Sequence, residues 1–209
     1  GAIPGVLVTL FLAAHFRLAP VSRETSNHFD LAALKAKWRP LAILFALVYI
    51  RSIVQMVFAQ FLPLYLNRER GFSVQEAALG LTLYLAFGGL GGFVGGNLAD
   101  RFGGKRVILI SMAGCLPFLG LFFVTGGWWA LASLALAGLM LLFTIPVNLV
   151  MGQQLVPSQA GTVSALMMGF AWGSAGLVFI PMVGWAADHV GLGAAMAFIS
   201  AFPVIGYFL

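Results

Sequence analysis

Charge is scarce in this chain. Of its 209 residues only 8% are Asp, Glu, Lys or Arg, against about 25% in soluble domains. With 61% hydrophobic residues and a mean hydropathy of +1.02, a water-soluble globule is excluded, because too much apolar surface would have to be hidden. Acidic residues are the rarer charge, 6 against 11 Lys and Arg, and none of them sits deep in an apolar run. Any proton-carrying carboxylate within the membrane must therefore come from elsewhere. The single cysteine, Cys115, permits no internal disulfide; surrounded by apolar residues, it reads as a packing thiol. Metal-ligand spacing, a nucleophile elbow and a phosphate-binding glycine loop are all missing, since the glycines lie inside apolar runs instead of following a strand. Neither a metal nor a cofactor is expected, and an enzyme would need reactive groups converging at depth, where the chain offers one arginine.

What is present is a series of apolar runs of 18 or more residues, each long enough to cross a bilayer as a helix. Their unbroken apolarity argues against a membrane barrel, whose strands would alternate over about 10 residues. Residues 1–16 read as the end of a preceding transmembrane helix and 17–39 as a cytoplasmic linker. Residues 40–209 read as a six-helix transmembrane unit with a truncated last helix. The spans run Pro40 to Leu66, Val74 to Leu98, Arg106 to Thr125, Trp128 to Gly152, Thr162 to Trp185, and from Leu192 onward. The opening apolar stretch lacks the basic segment of a signal peptide, so both chain ends are expected to be domain boundaries.

The net charge of +5 does not point to nucleic acid, because the basic residues form short clusters between the spans. If the linker is cytoplasmic, that side carries Arg17, Arg23, Lys35, Lys37, Arg39, Arg101, Lys105 and Arg106, and the opposite side only Arg68 and Arg70. This asymmetry follows the positive-inside rule. Trp38, Trp128, Trp129 and Trp185 fall at span ends, where amphipathic rings favour the interface. Pro63, Pro117, Pro146, Pro181 and Pro203 interrupt five spans and predict kinks, which membrane helices tolerate.

A repeat is visible at two span ends. Gly96-Asn97-Leu98-Ala99-Asp100-Arg101-Phe102-Gly103 and Gly184-Trp185-Ala186-Ala187-Asp188-His189-Val190-Gly191 share four of eight positions in register, 88 residues apart. Three spans separate the copies, placing them on opposite sides of the membrane, as an inverted three-plus-three repeat requires. Gly88, Gly92 and Gly96, with Gly91 and Gly95 beside them, form a small-residue face; Gly161, Ala165, Gly169 and Gly173 form another. Such faces permit close helix approach, for static packing or for sliding.

The run from Gly96 to Arg106 resembles the signature loop of the major facilitator superfamily, in the copy following the second helix of the carboxy-terminal half. Gly104 departs from the arginine usual there. Within the superfamily, residues 71–209 are most similar to the fosmidomycin-resistance group of drug exporters, through Leu116-Pro117-Phe118, Gln154-Leu155-Val156-Pro157, Gly169-Phe170-Ala171-Trp172-Gly173, Ala187-Asp188-His189 and Phe202-Pro203. Gln154 and Gln159 stand where the group leads one to expect glutamate and arginine. The resemblance implies an all-α six-helix half of a major facilitator fold and a multi-pass protein of the bacterial inner membrane. Its first partner would be the missing amino-terminal six-helix half of the same polypeptide. It also implies secondary transport by alternating access, with small drug-like molecules exported against protons. Gly96, Asp100, Arg101, Gly103, Lys105 and Arg106 would form a cytoplasmic gating loop, with Asp100 docking on the positive end of a neighbouring helix.

Inside the spans, Arg51 is the single deep charge. An arginine at a helix centre costs roughly 2.5 to 3.5 kcal/mol on insertion scales, so it should face the bundle interior or a wet cavity. Gln55 lies one turn further on the same face, and the pair could bind an anionic substrate; a structural ion pair is the other reading. Asn148, Trp172 and Ser174 are further cavity candidates, followed by Gln60 and Tyr84. Uptake of a small organic anion with Arg51 as its ligand therefore competes with drug export. Ser73 and Glu76 form a capping box at the start of the second span, and His189 reads either as a pH-sensitive group or as a solvated loop histidine.

Overall fold

The computed structural model describes residues 31–209, and the regular elements among them are all helical. The helix expected over 1–16 and the linker up to residue 30 lie outside the described residues. A short helix α1 (Leu31–Ala36) leads into α2 (Trp38–Arg68), α3 (Val74–Phe102) and α4 (Gly104–Val124). Then follow α5 (Gly127–Leu142), α6 (Thr144–Leu155), a tight turn at Pro157–Gln159, and α7 (Ala160–Ser164). A π-helical turn (Ala165–Phe170) joins α7 to α8 (Ala171–Val190), and the chain closes with α9 (Leu192–Ser200) and α10 (Pro203–Phe208). Among the described residues five stretches are long and apolar enough to cross a membrane: Trp38–Arg68, Val74–Phe102, Gly104–Val124, Gly127–Leu155 and Pro157–Val190. Leu192–Phe208 is a shorter apolar helical stretch.

Local chemistry sets the element ends. At the start of α3 the Ser73 N–H donates to Glu76 Oε2 at 2.8 Å and the Glu76 N–H donates to Ser73 Oγ at 3.2 Å, so the expected capping box forms. Only two of the five marked prolines coincide with breaks. Pro146 lacks the N–H that would bond the Leu142 carbonyl, and α5 gives way to α6 at Phe143. Pro203 likewise cannot bond Ile199, and the chain tightens there through Phe202 N–H to Ile199 O at 3.0 Å. Pro63, Pro117 and Pro181 lie inside α2, α4 and α8 without ending them.

The interior holds two apolar clusters. One contains Val54, Phe58, Leu62, Tyr84, Phe122 and Leu134; the other contains Leu44, Val48, Val107, Met112, Val147 and Met167. Glycines bring α3 within backbone contact of α5 and the start of α6. A Cβ at Gly91 would meet Leu139 O at 2.3 Å, one at Gly95 would meet Phe143 O at 2.1 Å, and one at Gly138 would meet Tyr84 O at 2.3 Å. The packed glycines of α3 are thus Gly80, Gly88, Gly91 and Gly95, whereas Gly89 and Gly96 face open space. Gly161, Gly169 and Gly173 are open as well. The second and fifth spans are the least buried, each 28% within its most apolar window, so these two carry unpartnered small-residue faces.

The inverted repeat is imprinted on the backbone. Gly103 and Gly191 adopt φ/ψ of 87°/141° and 88°/149°, a left-handed-side conformation that glycine adopts at no steric cost. Gly103 N–H donates to Ala99 O at 2.9 Å and Gly191 N–H to Ala187 O at 3.0 Å. Each glycine ends one helix and starts the next with the same corner.

Candidate functional site

Arg51 sits on α2 near its middle and is 3% exposed. Its Nη1 donates to Gln55 Oε1 at 2.6 Å and its Nη2 to Ser52 Oγ at 3.1 Å, so the i, i+4 spacing read from sequence brings the arginine and the amide together as expected. Among the described residues no carboxylate forms an ion pair with it, and its Nε has no hydrogen-bond partner. Tyr84 on α3 is fully buried, with its hydroxyl unpartnered. An uncompensated buried cation costs several kcal/mol, and here the guanidinium is offset only by the neutral oxygens of Gln55 and Ser52.

Asn148, on α6, is 1% exposed, and both its Oδ1 and Nδ2 are unpartnered. The helix carrying it packs against α2. Trp172 and Ser174 are placed differently. Trp172 is 44% exposed on α8, and the Ser174 hydroxyl donates back to Phe170 O at 2.5 Å. No hydrogen bond joins either to Arg51. The structure therefore assembles Arg51, Ser52 and Gln55, buries Tyr84 and Asn148 with free polar atoms, and leaves Trp172 on a surface of this unit. Ser52 adjoins Arg51 in sequence, and that adjacency was its available signal.

The loop residues form a second constellation at the opposite end from Glu69. Gly96, Ala99, Asp100 and Gly104 line a crevice of about 270 Å³ with Pro146, Val147, Val150, Met151 and Gln154 of α6. Asp100, Arg101, Lys105 and Arg106 are exposed around the Gly103 corner. Asp100 has no hydrogen-bond or ionic partner among the described residues. At Gly104 a Cβ would meet Met151 Sδ at 2.4 Å and Val147 Cγ1 at 3.1 Å, which gives the departure from arginine a packing reason.

Residues 1–180 match the Major Facilitator Superfamily. The chain belongs to that superfamily. Its fold agrees: FucP, a Major Facilitator Superfamily transporter solved in an outward conformation, superposes with a TM-score of 0.73 over 97% of this chain and 50% of that one, at 20% identity. Similar curated proteins are an uncharacterised MFS-type transporter, YfnC, of Bacillus subtilis, at 39% identity over 64% of this chain and 32% of that protein, and the fosmidomycin resistance protein of Escherichia coli, at 29% over 79% and 40%. A probable sulfoacetate transporter, SauU, of Cupriavidus necator is 30% identical over 65% of this chain and 34% of that protein. The chain spans about a third to two fifths of the length of these relatives. It is thus an integral, multi-pass membrane unit of major facilitator type, a six-helix half built from two inverted triplets.

Arg70, which the sequence marked only as a loop charge, and Glu69, which it did not mark, act as ties within this superfamily half. Glu69 accepts from the backbone N–H groups of Leu192 and Gly193 at 2.7 and 2.9 Å, capping α9. Arg70 donates to Phe123 O at 3.0 Å and to the carbonyls of Phe122 and Thr125, capping α4 at its carboxyl end. Opposite charges thus sit on opposite helix ends, as the helix dipole favours.

Proposed function

We propose that this chain is one half of a secondary active transporter that moves a small molecule across a bacterial inner membrane by alternating access, with proton-driven export of a drug-like compound as its task. The observation that carries the reading is the similarity to the fosmidomycin resistance protein across 79% of the chain. The open glycine faces of the second and fifth spans support it, because they leave smooth surfaces on which an amino-terminal half can dock and slide. On this reading Asp100, exposed and unpartnered beside Gly96 at the Gly103 corner, docks on that half and latches the cytoplasmic side. The sites described here include no proton-carrying carboxylate within a span, so the reading assigns coupling to the other half.

A second reading is favoured by Arg51. A buried guanidinium lacking a carboxylate among the described residues suits a small organic anion, and one relative is named as a sulfoacetate transporter. Growth tests with a panel of toxic compounds separate the two, comparing a strain lacking the full-length gene with one carrying Arg51→Ala. Export predicts that both strains become sensitive to the transported compound. Uptake predicts that both become resistant.

A further inference from the structure

The crevice beside Asp100 has a twin at the other end of the bundle. Gly184, Ala187, Asp188 and Leu192 line a cavity of about 320 Å³ with Phe61, Leu64 and Arg68 of α2 and Glu69 just beyond its end. Adding 88 to Gly96, Ala99, Asp100 and Gly104, the residues that α3 and α4 give to the first crevice, yields Gly184, Ala187, Asp188 and Leu192. The corners coincide to within a few degrees of φ and ψ at Gly103 and Gly191. The glycine one turn before each carboxylate is open: a Cβ at Gly96 would meet nothing within 4 Å, and one at Gly184 only Phe61 Cζ at 3.8 Å. Both carboxylates are exposed, and neither has a hydrogen-bond or ionic partner among the described residues.

The twins differ in what caps the following helix. Beside Asp188, Glu69 already accepts from Leu192 N–H and Gly193 N–H, so the first turn of α9 makes no demand on Asp188. His189 is turned back on its own helix, with Nδ1 2.8 Å from Trp185 O and its ring 4.5 Å from the Trp185 ring. Arg68 is exposed across the crevice. Asp188 is left as a free carboxylate flanked by small residues, with room for another chain segment to approach.

We propose that Asp188 is a second docking carboxylate, which engages the amino-terminal half of the polypeptide when the Asp188 end closes, as Asp100 does at its own end. The chemistry it fits is the amino-terminal end of a helix, with free backbone N–H groups and a basic side chain, which a carboxylate stabilises through the dipole and charge-assisted hydrogen bonds. The inference rests on the alternating-access reading: forming one contact and breaking the other would give each conformational state its own tie.

The test uses the full-length protein in open membrane fragments, with a single cysteine at Leu64→Cys or Val150→Cys reporting on the Asp188 and Asp100 crevices by its maleimide labelling rate. Cys115 is fully buried and stays silent. Asp188→Asn is expected to raise labelling at Leu64→Cys about fivefold, the effect of an ordinary charge at a helix end, and to lower it at Val150→Cys. Asp188→Glu should restore both rates, and Asp100→Asn should shift them the opposite way. Wild-type rates in Asp188→Asn alongside a shift in Asp100→Asn would overturn the inference and leave alternating access standing. Unchanged rates in every variant would overturn both.

Discussion

The carboxylate of Glu69 and the backbone N–H of Leu192, 123 positions apart in sequence, meet at 2.7 Å. This contact ties the end of the first span to the start of the last and so joins the two inverted triplets at one end of the bundle. The same carboxylate reaches Gly193 N–H at 2.9 Å, and the neighbouring Arg70 holds the carboxyl end of α4. Two adjacent residues of opposite charge thus fasten two helix ends of opposite polarity.

Replacing Glu69 with Gln keeps the size of the side chain and removes its charge. A charge-assisted cap exposed in part to solvent is worth about 1 kcal/mol, which in the larger full-length protein corresponds to a loss of at most about 2 °C in Tm. Thermal unfolding of the detergent-purified full-length protein reads it directly. An unchanged Tm would mean that the contact holds nothing.

The glycines of α3 give a contrast within one helix. Gly95→Ala places a Cβ 2.1 Å from Phe143 O, where backbone must move, and an overpacking cost of about 1–3 kcal/mol follows. Gly89→Ala meets open space and should leave the fold unchanged. The yield of monodisperse protein from each variant is the measurement; equal yields would contradict the close packing of α3 on α5.

Much of this was legible in the sequence, and the misses have physical causes. Apolar runs near 20 residues located the spans, Ser73 and Glu76 marked the start of α3, and the paired Gly103 and Gly191 motifs carried the inverted repeat. Which face of α3 packs was not legible, because Gly88, Gly91, Gly92, Gly95 and Gly96 offer two overlapping stripes and the choice depends on the partner backbone. The break at Phe143 was marked by Pro146, yet Pro117 carries the same sequence signal without breaking α4. Glu69 was missed because its partners are backbone N–H groups in a distant segment, which leave no pattern in residue types. Of the site, Arg51 and Gln55 followed from helical spacing, while the buried, unpartnered state of Tyr84 and Asn148 depends on packing among several helices.

Arg51→Met in the full-length protein separates a ligand from a packing element. Exchanging a buried charge for an apolar side chain of similar length is often neutral or stabilising, so the Tm is expected to hold or to rise. Substrate transport is expected to fall to background, measured with the compound identified by the growth panel. Wild-type transport by a folded Arg51→Met protein would remove Arg51 from the pathway.

Transport by the full-length protein in sealed proteoliposomes tests most directly the proposal that this chain is half of a gradient-driven carrier latched at Asp100. With a panel of small drugs and organic anions, at least one compound should accumulate when a proton gradient is imposed. Accumulation should vanish when the gradient is collapsed, and should fall by most of its rate in Asp100→Asn while membrane insertion stays intact. Gradient-driven accumulation at the wild-type rate by Asp100→Asn, or none above protein-free vesicles for any compound with the wild-type protein, would contradict the account.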